Sequence, residues 1–327
     1  MRRITLILTL LAVAACSAEG GSTTTTGEVA TSTTAAPDPT TTAAPETSTT
    51  VADAGFPVEV TDANGAVSIE TMPESIVSLS STGTEMLFAI GAGEQVVAVD
   101  EFSTYPPDAP ITDLSGFTPN IEAIVGYEPD LVVISFDPGE LVSGLEAVGV
   151  PTLLLPTASS LDDSYAQLEV LGGATGHVGE AAEVVAQMQA DIDEIVATTT
   201  VPAGVSFYHE VDATLYSASS NSFLGQIYGL LGLTNIADEA DTDGTGFPQL
   251  ASEYIVSQDP DIIYLADVDF GVTPESLSER PGWAEMTAVQ NDAIVPLEAY
   301  LASNWGPRVV ELLELIAESV TGLVPAS

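Results

Sequence analysis

Short apolar runs recur along the chain at the spacing of buried strands. Ile76-Val77-Ser78-Leu79, Val96-Val97-Ala98-Val99, Leu131-Val132-Val133-Ile134 and Thr152-Leu153-Leu154-Leu155 are each nearly continuous, with no polar alternation. Strands covered on both faces read this way, as in parallel sheets sandwiched by helices. Between them the period changes to helical: Ser80-Ser81-Thr82-Gly83-Thr84 leads into Glu85-Met86-Leu87-Phe88-Ala89-Ile90 with a stop at Gly91. From about Leu161 to Thr199 the pattern is helical throughout, with an interruption expected near Gly172-Gly173 and a stripe of Ala182, Val185, Met188, Ile192 and Ile195. Beyond Pro202 strands return as Val205-Ser206-Phe207-Tyr208 and Ile262-Ile263-Tyr264-Leu265, with a helix between them from about Phe223 to Leu231. Alternating strands and helices on either side of a helical stretch predict an α/β fold of two Rossmann-like lobes with mostly parallel sheets, joined by one long α-helix.

The two halves share a segment. Glu122-Ala123-Ile124-Val125 runs on through Pro129-Asp130-Leu131-Val132, and Glu253-Tyr254-Ile255-Val256 runs on through Pro260-Asp261-Ile262-Ile263. Each reads as a short helix whose Ile-Val pair packs inward, ended by a Pro-Asp turn that starts a buried strand. Glu122 and Glu253 then occupy equivalent, exposed positions. In so acidic a chain one such residue is solvated decoration. Two in register suggest a docking role.

The amino terminus changes the picture of where the protein works. Arg2 and Arg3 precede the apolar run Ile4–Leu11, which is too short to span a bilayer and reads as a signal segment. It ends at Val13-Ala14-Ala15-Cys16, small residues followed by the chain's single cysteine, the pattern of a bacterial lipoprotein signal in which Cys16 takes the lipid. No internal disulfide is possible. From 16 to 55 the chain is Thr, Pro, Ala and Ser with little to bury, so a disordered tether is expected. The remaining boundaries are an N-terminal lobe over 56–160, a helical connector over 161–200 and a C-terminal lobe over 201–327.

Charge excludes whole classes of partner. Removal of the signal leaves 48 acidic residues against Arg280 and Arg308, a net charge of −46 without a single lysine. Nucleic-acid binding through phosphate neutralisation is excluded, and so is an electrostatic grip on anionic lipid, which leaves the lipid chain as the membrane anchor. Acidity this strong suggests a surface adapted to salt. Only His177 and His209 are present, in unrelated contexts. They make no nucleophile–base pair and no clustered metal site, and neither a G-x-S-x-G elbow nor a Walker loop occurs. No enzyme activity, cofactor or resident metal is expected. An adhesive or structural lipoprotein remains an alternative.

Several segments, taken in order, resemble the iron-siderophore and vitamin B12 substrate-binding proteins of ABC importers. They are Pro73-Glu74-Ser75-Ile76-Val77-Ser78-Leu79-Ser80, Thr84 through Gly93, Tyr105-Pro106-Pro107, Pro129-Asp130-Leu131-Val132, Pro281-Gly282-Trp283 and Gly306-Pro307-Arg308. The resemblance covers the body from about Phe56 onward. It implies two lobes on a rigid helix, a small-molecule ligand held between them, and delivery to an ABC permease dimer whose arginines meet one glutamate per lobe, here Glu122 and Glu253. Ligand residues then belong on loops after strands. In the first lobe these are Ser81, Thr82, Phe102, Tyr105, Phe117 and Phe136. In the second they are His209, Glu210, Tyr216, Asn221, Phe247, Asn304 and Trp305. A strongly anionic ferric catecholate would need several cations, so a cobalamin-type corrinoid or a ferric hydroxamate fits better. The Phe102–Pro107 stretch looks closer to the B12 members, although Tyr300 and Asn304 stand where charged residues are expected from them. Heme, through His209 or a tyrosine, is a third option. Arg308 is expected to pair with nearby carboxylates.

Overall fold

The continuous apolar runs form the strands of two parallel sheets. The computed structural model describes residues 55–321 and 323; Cys16, the signal segment and the Thr/Pro-rich stretch as far as residue 54 lie outside the described residues. A hairpin opens the body, β1 (Val58–Asp62) and β2 (Gly65–Ile69), turned at Ala63-Asn64. Asp62 closes the turn by accepting from the Asn64 and Gly65 amides, and its other carboxylate oxygen accepts from Leu154 N at 2.8 Å, which docks the hairpin on the first sheet. That sheet comprises β3 (Ile76–Leu79), β4 (Val96–Val99), β5 (Leu131–Ile134) and β6 (Thr152–Leu154) in the order β4-β3-β5-β6. Helices α1 (Ser81–Ala89), α2 (Ile121–Val125) and α3 (Leu141–Glu146) connect it.

The connector is an antiparallel pair, α4 (Leu161–Thr175) and α5 (Val178–Thr198). At 21 residues, α5 is the long helix that leads into the second lobe, roughly 31 Å from end to end. The break falls at Gly176, where φ is +83°, and not at Gly172-Gly173 as the sequence suggested. Gly172 serves a different purpose: a Cβ there would lie 2.5 Å from the Ala181 methyl, so the glycine lets the two helices touch. The buried stripe of α5 likewise begins at Ala181, not Ala182, and continues through Val185, Met188 and Ile192, with Ile195 half-buried, at alternating steps of four and three.

The second lobe repeats the topology of the first. Its strands β7 (Ser206–Glu210), β8 (Thr234–Asn235), β9 (Ile262–Leu265) and β10 (Ile294–Pro296) are ordered β8-β7-β9-β10, all parallel. Its helices are α6 (Phe223–Leu230), α7 (Ser252–Gln258), α8 (Pro274–Leu277), α9 (Thr287–Gln290), α10 (Ala299–Ser303) and α11 (Val309–Thr321). The sequence repeat has a structural cause. Glu128 and Asp259, each just before a proline, both adopt left-handed backbone (φ +52° and +47°), which turns the chain out of α2 and α7. The aspartates that follow then clamp the neighbouring strand in the same way. Asp130 accepts from Glu74 N and Ser75 N at the start of β3, and Asp261 from Ser206 N and its hydroxyl at the start of β7. Ile124 and Ile255 are buried, while Glu122 and Glu253 are exposed in the first turns of α2 and α7.

Candidate functional site

Loops at the carboxyl ends of the strands line two joined compartments, the place where open α/β sheets hold ligands. One, of about 340 Å³, is walled by Ser81, Thr82, Asp100, Phe102, Phe117 and Phe136 of the first lobe. The other, of about 300 Å³, is walled by His209, Val211, Phe223, Phe247 and Phe270 of the second. Both include Thr157, Tyr300, Ser303, Asn304 and Trp305, which form the common floor. These five residues make a single cleft of the two compartments.

The first-lobe wall is a group of phenylalanines. Phe117 meets Phe102 edge-on at 5.2 Å and Phe136 at a tilt at 5.4 Å, centroid to centroid, yet Phe117 remains 62% exposed. On the second-lobe wall, Phe270 is 77% exposed. Large rings left in solvent on both walls of a cleft give up the free energy of their own burial, and a ligand with apolar faces recovers it. Asp100 lines the same compartment, accepting from the Ser103 hydroxyl at 2.7 Å; burial raises its pKa, against the hydrogen bonds that Ser103 and the Gly116 amide donate to it.

On the second-lobe wall His209 is 1% exposed and its Nδ1 lies 2.9 Å from the Tyr228 hydroxyl. Burial drives its pKa down to about 3, so the imidazole is neutral at physiological pH. Glu210 does not share the cleft. Successive strand residues point to opposite faces, so Glu210 turns away from His209 into the other layer, where it is fully buried. There it holds Arg280 through two 2.6 Å bonds, with the guanidinium 4.4 Å above the Trp283 ring.

Three other residues expected to contact ligand lie elsewhere. Tyr105 sits under the Arg308 guanidinium at 4.2 Å, in a separate groove with Glu85, Pro307 and Glu311. Asn221 gives its amide to Asp241 at 2.8 Å, in the loop that caps α6. Tyr216 pairs with Gln249 in an isolated backbone bridge beside the cleft, outside its lining. Asp100, Phe223, Phe270 and Ser303 also line the cleft, although none was expected there from the sequence. The signal for Asp100 and Phe270 was present, since they follow β4 and β9 as the chosen residues follow β3, β5 and β7.

Among the described residues no free cation lines the cleft. Among the described residues the only arginines are Arg280 and Arg308, and Arg308 is bonded to Glu298 at 2.7 Å and Glu311 at 3.1 Å, with Glu85 at 3.5 Å. No group of three or more His, Cys, Asp or Glu among the described residues could hold a metal ion, and no described helix is long and apolar enough to cross a membrane.

Residues 76–301 match the periplasmic binding protein family, so the chain belongs to that family. It is 30% identical over 276 residues to an uncharacterized ABC transporter substrate-binding lipoprotein of Bacillus subtilis, covering 81% of this chain and 86% of the relative. A cobalamin-binding protein of Halobacterium salinarum is 31% identical over 281 residues, covering 81% and 74%. A crystal structure from the Fe3+-hydroxamate transport system of Saccharomonospora viridis superposes with a TM-score of 0.66 at 25% identity, covering 82% of this chain and all of the other. Members of the family are extracytoplasmic substrate-binding components that serve ABC importers, not enzymes.

Proposed function

We propose that this protein captures a neutral ligand with extended apolar faces, of the corrinoid kind, between its two lobes and delivers it to the permease of an ABC importer. One observation carries this reading: both walls of the cleft present unpacked aromatic rings, while both arginines of the body are committed to carboxylates. Aromatic faces and a floor of Asn304, Ser303 and Thr157 suit a large ring bearing amide groups. They offer nothing to a polyanion. The relative named as a cobalamin-binding protein supports the same ligand class. Phe102, Phe117, Phe136, Phe247 and Phe270 supply contact area, Ser81 and Thr82 add hydroxyls on the first-lobe wall, Asn304 and Trp305 line the floor, and His209 stands as a neutral imidazole.

A second reading is favoured by His209 alone. A neutral imidazole fixed through Nδ1 by a tyrosine hydroxyl is prepared to give its other nitrogen to an iron centre such as heme. Calorimetric titration of the mature chain with cyanocobalamin, ferrioxamine and hemin separates the cases. Saturable binding of cyanocobalamin is expected. Tight binding of hemin that is lost in His209→Ala would replace the first reading by the second, and no response to any of the three would overturn both.

Cys16 carries the lipid that holds the mature protein at the membrane. Glu122 and Glu253, exposed at equivalent helix starts, meet cationic residues of a two-fold permease. The double reversal Glu122→Lys with Glu253→Lys abolishes uptake and leaves ligand affinity unchanged. Weakened ligand binding in that variant would show that the two glutamates are misassigned.

A further inference from the structure

Asn304 is the one floor residue tied to the first lobe through both ends of its amide. Its Oδ1 accepts from the Ser81 hydroxyl at 2.9 Å, and its Nδ2 donates to Glu85 Oε1 at 2.8 Å. Glu85 is 4% exposed on α1, and its second oxygen is buried without a partner. That oxygen lies against Gly306, where even a Cβ would approach it to 3.1 Å. Arg308 reaches Oε1 only at 3.5 Å, because its closer bonds go to Glu298 and Glu311. Burial outweighs the Asn304 and Arg308 contacts and lifts the Glu85 pKa to about 7.

The chemistry of the two carboxyl states differs in kind. A carboxylate only accepts hydrogen bonds, so ionised Glu85 compels the Asn304 amide to turn Nδ2 toward it and Oδ1 toward Ser81. A carboxylic acid carries a donor. Protonated Glu85 can donate to Oδ1 instead, which frees the amide to turn over and donate to Ser81. We propose that Glu85 is a positioning residue for ligand recognition: its charge state fixes which end of the Asn304 amide faces the Ser81 side of the cleft floor, and so links ligand binding to one proton. The link to ligand rests on the reading that the cleft is the binding site. The orientation of Asn304 does not. The charged groups around Glu85 are Arg308 and Glu298, with Glu311 behind Arg308, and Asp108 and Glu314 along the groove that Glu85 also lines.

The test uses the neighbouring Trp305, whose backbone and indole are both fixed, by the Ser164 hydroxyl and by Gln167. Its fluorescence in the ligand-free protein is followed against pH, with Trp283→Phe to remove the other indole. An inflection near pH 7 is expected in the parent and is absent in Glu85→Gln. Because the Asn304 bond lowers the Glu85 pKa, Asn304→Ala moves the inflection to higher pH. With cyanocobalamin, affinity falls about fivefold from pH 8 to pH 6, the weight of one hydrogen bond, and Glu85→Gln is flat over that range. Superimposable fluorescence profiles of the parent and Glu85→Gln, or an Asn304→Ala inflection that does not rise, would overturn the proposal. If cyanocobalamin binds with the same pH profile in both proteins, the linkage is refuted while the cleft stands. If no ligand binds, the cleft assignment fails and the fluorescence profiles still decide the role of Glu85.

Discussion

Replacing Arg280 by leucine tests whether this arginine is structural. Glu210 is fully buried, and its two oxygens each receive a 2.6 Å bond from one guanidinium. Removing one partner of a buried pair leaves an uncompensated charge, which costs about 3–5 kcal/mol. Two features set the value within that range. The Arg280 side chain is 22% exposed, so water enters when it is truncated and the cost falls toward the lower end. Loss of the stacking on Trp283 returns about 0.5–1 kcal/mol. A destabilisation of about 4 kcal/mol follows, a large share of the usual stability of a domain. Urea unfolding followed by tryptophan fluorescence measures it, provided the m-value is unchanged. The double variant Arg280→Leu with Glu210→Leu recovers most of the loss, because an apolar pair fills the space without a buried charge. Ligand affinity of the folded single variant stays within twofold. A loss under 1 kcal/mol, or a double variant no more stable than the single one, would refute the reasoning; a fivefold change in affinity would place Arg280 at the ligand.

Two further outcomes follow from the same structure. Glu85 has a folded-state pKa of about 7 against an ordinary 4.5, so its neutral form is favoured by folding, and that contribution is complete below pH 4.5 and lost as pH rises through 7. The stability of Glu85→Gln relative to the parent therefore grows by about 3 kcal/mol between pH 4.5 and pH 8, and a difference that stays constant in thermal or urea unfolding would contradict it. Phe117→Ala and Phe270→Ala remove rings that are mostly in solvent, so stability changes by less than about 0.5 kcal/mol, whereas ligand affinity drops about tenfold in each; equal losses in stability and affinity would show that the rings serve packing instead.

The buried strands were legible because both of their faces are covered: Leu131–Ile134 and Ile262–Leu265 are apolar at every position, and no tertiary knowledge is needed to see them. Shorter edge elements were not. Thr234–Asn235 has two residues, and Ile294–Pro296 ends in a proline, so neither carries a periodic signal, and their places come from pairing with β7 and β9. Gly172 looked like a helix break because glycine breaks and glycine contacts read alike along a chain, and the close approach of Ala181 is what distinguishes them. Within the site, the aromatic wall of Phe102, Phe117 and Phe136 came from the rule that ligands meet loops after strands, which combined with the resemblance to mark the cleft. Glu210 failed for want of strand phase: placing the end of β7 two residues early, at Tyr208, put His209 and Glu210 together in a cleft that alternation allows only one to enter. The Asn304–Glu85 link joins residues 219 positions apart and leaves no local trace.

The proposed function requires a cleft that grips a neutral ligand through aromatic area and hydrogen bonds, without a cation. Measuring the cyanocobalamin dissociation constant at 0.1 M and at 1 M sodium chloride tests this most directly. Screening at 1 M shortens the reach of exposed charges to about 3 Å, so affinity unchanged within twofold is predicted, and a tenfold loss would show that charge pairing holds the ligand after all.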